Sequence, residues 1–178
     1  MRKVVLTYGI IAGVIIAILM TISGTLFEFG SNFSMSLALG YASMIISLSM
    51  VFFGIRSYRD NYSGGSMTFG KGFLVGLYIT IIASVLYVVS WKIYSSIAIP
   101  DFADKYASRV IEEAKKSGAS VAEIATKTQE MTEWKQWYAN PIVEFGMTFL
   151  EIFPVGLLIS VICALILKRK PAGATQTS

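Results

Sequence analysis

The sequence predicts an all-α polytopic membrane protein: four transmembrane helices, with an extracytoplasmic amphipathic helical hairpin between spans three and four. Three observations predict it. Of 178 residues, 54% are hydrophobic and only 15% charged, where an average globular domain is about a quarter charged. Four apolar stretches, at about 4–27, 35–55, 72–91 and 142–167, are each long enough to cross a hydrocarbon core of about 30 Å at ~1.5 Å rise per residue. The first three contain no Asp, Glu, Lys or Arg. Runs such as 9–20 are apolar on every face. That is a helix in lipid, not the alternating strand of a barrel.

Span one begins after Arg2 and Lys3, as a secretory signal would. Its apolar run is too long for one and no Ala-x-Ala-like site closes it, so it reads as a retained span. Eight basic residues lie in short segments beside Arg2, between spans two and three (Arg56, Arg59, Lys71), and after span four (168–170). The segment from Lys92 to Pro141 holds seven basic and seven acidic residues spread over a much longer stretch. Basic residues packed against span ends mark the cytoplasmic side. Both termini are therefore expected in the cytoplasm. The net charge of +4 reads as a topology signal, with no nucleic-acid partner.

The chain forms one domain over 1–170, followed by a small polar tail at 171–178 that is expected to be disordered. After span three, Pro100 breaks the helix and Asp101 is placed to cap the next one. That helix runs to about Ser117, with Gly118 as its stop. Ser120 and Glu123 then make a capping-box pattern for a second helix, with apolar positions at Val121, Ile124, Thr128, Met131 and Tyr138. The pair gives a hairpin over about 101–138, lying against the outer face of the bundle. Trp91, Trp134 and Trp137 flank it and suit the headgroup level, where they fix membrane depth or dock a partner.

Small residues at four-residue spacing recur in three spans: Gly9, Gly13 and Ala17; Gly72, Gly76, Thr80 and Ser84; Gly156, Ser160 and Ala164. Such stripes let helices approach closely in lipid. They predict a compact bundle within the chain, or the contact of a homodimer or another membrane protein.

Span four is unlike the others. Asn140 and Pro141 read as its N-cap and first residue. Glu144 lies in the first turn, where the helix dipole favours a carboxylate. Glu151 lies deeper, and Pro154 follows it. Glu144, Thr148 and Glu151 share a face, with the Gly156 stripe expected well away from it. An ionised group at mid-span costs ~2.5–3.5 kcal/mol on insertion scales, so Glu151 needs a hydrogen bond, a proton or water. Tyr87, Ser90 and Tyr41 are candidate donors, and Lys92 is placed to reach Glu144. Glu151 then reads in two ways. It is a register-setting hydrogen bond, or a proton or cation site beside a Pro154 break.

The segment between spans two and three carries Gly65, four residues, and then Gly70-Lys71. It is not a phosphate loop: Gly72 stands where Ser or Thr must bind magnesium, and a span follows. Arg56, Arg59 and Lys71 are instead topology-setting charges, or hold anionic lipid headgroups. The chain has no histidine and one cysteine, Cys163, inside span four. That removes disulfide frameworks, Cys/His zinc sites and histidine-dependent triads. No cofactor and no enzymatic activity are expected.

Three segments carry a family resemblance. They are Phe53-Gly54-Ile55-Arg56-Ser57-Tyr58-Arg59-Asp60; Gly64-Gly65 through Phe69-Gly70-Lys71 to Tyr87 and Trp91; and Asn140-Pro141 through Glu151-Ile152-Phe153-Pro154-Val155-Gly156. Together they resemble the bacterial membrane family catalogued as domain of unknown function 4199, found mainly in Bacteroidota. The resemblance implies a small four-span protein of the inner membrane and no particular reaction. It makes Arg56, Arg59, Asp60, Gly65, Lys71, Asn140, Pro141, Glu151 and Pro154 candidate important positions. The leading expectation is a structural or interaction component of that membrane, with the hairpin and the small-residue stripes as contact surfaces. The alternative is a small transporter or proton-coupled factor using Glu151.

Overall fold

A computed structural model describes residues 1–28 and 33–169. The expected disorder of 171–178 lies outside them. Among the described residues the helices are α1 (Arg2–Glu28), α2 (Phe33–Leu48), α3 (Met50–Tyr62), α4 (Phe69–Ala98), α5 (Phe102–Lys116), α6 (Val121–Tyr138) and α7 (Pro141–Leu167). Four candidate spans result: α1, α2 with α3, α4, and α7. The α5–α6 hairpin stands between the third and fourth.

Span two is interrupted at Ser49 where the sequence suggested a continuous helix. The Ser49 hydroxyl donates to the Ile46 carbonyl at 2.6 Å, and Phe52 N–H donates to Ser49 O at 3.0 Å. A serine that bonds back into its own turn competes with the regular ladder. Spans two and three also outrun their expected ends at 55 and 91. Arg56 and Lys92 do not stop them, because long basic side chains reach water or a partner while their stems stay on the helix. The stops come at Gly64 and Gly65, with φ of +62° and +75°, and just ahead of Pro100.

The termini follow local chemistry. Asn140 Oδ1 accepts from Ile142 N–H at 3.0 Å, with Pro141 first in α7. Ser120 and Glu123 complete the capping box. Gly118, at φ +81°, ends α5. Asp101 is a correction. It precedes α5 but makes no capping hydrogen bond, because its carboxylate pairs with Lys105 at 3.1 Å.

The core runs along α4, which packs on α1, α3 and α7. The small-residue stripes are used inside the chain. A Cβ on Gly9 would lie 2.9 Å from Ile82, and one on Gly76 would lie 2.9 Å from Ser160 Cβ. Gly13 faces Leu86, and Gly156 faces Thr80. Thr80 and Ser160 hydroxyls meet at 3.1 Å, and Ser47 Oγ donates to Ala12 O at 2.5 Å. The buried face of α7 joins Glu144 and Thr148 to Ile152, Gly156, Ser160 and Ala164. The expected separation of the acidic face from the Gly156 stripe is therefore wrong for Glu144. Four-residue ridges drift slowly round a helix, and a crossing partner follows the ridge.

Candidate functional site

At the hairpin end of the bundle the helices part around a cavity of about 380 Å³. The bundle supplies its wall: Ile16, Met20 and Ser23 from α1, Gly40 and Tyr41 from α2, and Tyr87 and Trp91 from α4. α7 adds Met147, Thr148 and Glu151. The hairpin roofs it with Phe102, Tyr106, Trp134 and Tyr138.

The roof is held by rings and two polar clasps. Trp91 meets Phe102 edge-on with centroids 4.7 Å apart, and Trp134 stacks on Tyr138 at 4.7 Å. Tyr106 joins Trp134 at 5.1 Å. Such pairs add about 0.5–1.5 kcal/mol beyond area burial. Trp91 Nε1–H donates to the Tyr138 hydroxyl at 2.7 Å. Beside it, Lys92 Nζ donates to Glu144 Oε2 at 2.6 Å. Glu144 is 7% exposed, and Lys92 is the cation that meets it.

Glu151 lies on the cavity wall, and Tyr87 O–H donates to its Oε2 at 3.4 Å. Its surroundings show in the roof tyrosines. Burial raises the Tyr106 hydroxyl above the usual phenol range, and the Glu151 charge adds to this. Burial pushes Tyr138 up to about 12, against the opposing Trp91 donor and with help from Glu144 and Glu151. Pro154 lies one turn further on but does not break α7, which runs unbroken through it. Proline supplies no N–H to the Leu150 carbonyl, and the rest of the ladder holds the helix.

Arg56, Arg59, Asp60, Gly65 and Lys71 gather at the opposite, loop end. Arg59 Nε pairs with Asp60 at 2.7 Å, and its Nη1 reaches the Leu167 carbonyl at 3.5 Å, at the end of α7. Arg56 approaches Asp60 at 3.6 Å. Met67 and Arg169 exchange two backbone hydrogen bonds of 2.9 Å, tying the α3–α4 loop to the segment after α7. Lys71 is exposed in the first turn of α4.

Sequence reasoning paired Lys92 with Glu144, and of the three donors it offered Glu151, Tyr87 is the one that bonds. It did not join the aromatic residues into one wall. The available signal was four-residue spacing: Tyr87 with Trp91, Phe102 with Tyr106, and Trp134 with Tyr138 put each pair on one helix face. One expectation for the hairpin changes. Val121 is 86% exposed, because it opens α6 at the hairpin tip, beyond the bundle. Trp137 is 63% exposed, and only Trp91 and Trp134 enter the ring cluster.

The three segments that carried the resemblance lie in α3, in the α3–α4 loop with α4, and in α7 with its cap. The model of the family described as Protein of unknown function (DUF4199) matches residues 7–169. The chain belongs to this family. The match takes in both ends of the bundle, so the cavity and the Arg59–Leu167 contact both lie within the DUF4199 region. No curated protein and no solved structure matches the chain. The chain is a membrane protein by its helix composition: among the described residues four helical stretches are long and apolar enough to span.

Proposed function

We propose that this DUF4199 chain is a non-enzymatic component of the bacterial inner membrane, with both termini in the cytoplasm, that works by binding at its hairpin end. One observation carries the reading: the cavity of about 380 Å³, walled by aromatic rings and by one carboxylate, Glu151. Concave, mostly apolar sites with few placed polar groups are where small molecules bind. The small-residue stripes contribute less to this reading than the sequence suggested, since the chain's own helices fill them. At the loop end, exposed Arg56 and Lys71 suit anionic lipid headgroups, each worth about 1 kcal/mol.

Native mass spectrometry of protein purified in maltoside tests the reading. Wild type is expected to carry a bound small molecule or lipid, and Gly40→Leu to lose it. Gly40 lines the cavity, and a Cβ there meets nothing within 4 Å, so leucine fills space without a clash. Wild type without any bound mass would overturn the reading.

A second reading has a specific observation behind it. Glu151 lies on a cavity wall with a tyrosine hydroxyl as donor, which suits a proton-coupled carrier. Proteoliposomes loaded with a pH dye would then take up protons under an imposed potential, and Glu151→Gln would stop the uptake.

A further inference from the structure

We infer that the cavity at the hairpin end takes a substituted ammonium group, carried by a free small cation or by a lipid headgroup. This rests on the binding reading above and adds the chemistry of the ligand.

Charge comes first. Glu151 is the one ionisable acid or base on the cavity wall among the described residues, apart from tyrosine hydroxyls. The nearby Lys92 is bonded to Glu144 and does not line the cavity. An anion would therefore meet a carboxylate with no cation to offset it. A carboxylate accepts about four hydrogen bonds, and Glu151 has one long bond, from Tyr87.

The rest of the wall narrows the cation. Trp91, Phe102, Tyr106, Trp134 and Tyr138 present aromatic surface, and ring faces attract positive charge. Ile16, Met20 and Met147 are apolar, which suits alkyl substituents. A hard metal ion needs six or more oxygen ligands, whereas the wall offers one carboxylate and scattered hydroxyls. The volume of about 380 Å³ falls within the range of about 300–1,000 Å³ for small-molecule sites.

The test is a tryptophan-fluorescence titration in maltoside micelles, since Trp91 and Trp134 line the cavity. Choline is the probe. 3,3-dimethyl-1-butanol has the same shape without the charge. Choline is expected to give a saturable change, and the alcohol to bind at least tenfold more weakly. Glu151→Gln is expected to weaken choline at least tenfold while keeping the thermal transition near wild type. Gly40→Leu is expected to abolish the response.

Equal binding of the two probes, no saturable response to choline, or wild-type affinity in Glu151→Gln would each overturn the inference. A bound mass that Gly40→Leu removes would, in those cases, leave the binding reading standing. Nanodiscs of phosphatidylglycerol with and without phosphatidylcholine separate the sources. If phosphatidylcholine raises the apparent Kd for choline, the group comes from a headgroup; an unchanged Kd assigns it to a free cation. Either result keeps the ammonium site.

Discussion

The two ends of the bundle solve the same packing problem in opposite ways. At the loop end, α4 and α7 meet through Gly72, Gly76, Ser160 and Ala164, and the backbones come close. Arg59 and the Met67–Arg169 pairing then close the seam. At the hairpin end, large rings stand between the helices with centroids 4.7–6.0 Å apart, held by Trp91–Tyr138 and Lys92–Glu144. Lipid gives helices little hydrophobic reason to associate, so fit decides. Small residues fit with no space left. Rings tied by a few polar groups prop the helices apart and leave a site.

That contrast can be broken, and the largest effect should come from the close seam. Gly156→Val puts a side chain into Thr80. Overpacking of this kind costs about 1–3 kcal/mol, and thermal unfolding in detergent should show a clear drop. An unchanged transition would mean the seam has slack. Next is Lys92→Met, which strands the Glu144 charge. Breaking a buried pair costs about 3–5 kcal/mol, but the lysine side chain is 57% exposed, so roughly 1–2 kcal/mol is expected after screening. Adding Glu144→Gln should recover part of the loss.

Trp91→Phe should cost less, about 0.5–1.5 kcal/mol for one hydrogen bond. It also sharpens the pH behaviour of the roof. Folded Tyr138 holds its proton to about 12, above the ordinary phenol value of 10.0. Its contribution to stability is therefore intact below pH 10 and is lost as pH rises toward 12. Removing the Trp91 donor should push the Tyr138 titration higher still, which tyrosinate absorbance will follow. A downward move would contradict the hydrogen bond. The smallest effect belongs to Gly40→Leu. Its Cβ meets open space, so thermal stability should stay within about 0.5 kcal/mol of wild type or rise slightly, since leucine favours helix.

The spans were legible in the sequence because apolar length is a one-dimensional signal that lipid enforces. The caps at Asn140 and Ser120 were legible because they act within one turn. Lys92 with Glu144 could be read because a buried acid near a span end leaves few partners. The interruption at Ser49 was hidden, since one serine among Ser-Leu-Ser either bonds back or points away. The Met67–Arg169 pairing joins residues far apart in the chain through backbone atoms, which carry no sequence code. The cavity was hidden for a deeper reason. It is a gap between six packed helices, and no single helix records a space that none of them fills.

The account depends most on lipid lying between the two ends, with the hairpin outside. Single cysteines at Asn61 and Ser117, in a Cys163→Ala background, test this in spheroplasts with a membrane-impermeant maleimide. Both sites are exposed, and they belong to opposite ends. The account predicts labelling at Ser117→Cys in intact spheroplasts, and at Asn61→Cys only after lysis. Labelling of Asn61→Cys from outside, with Ser117→Cys protected, would contradict it.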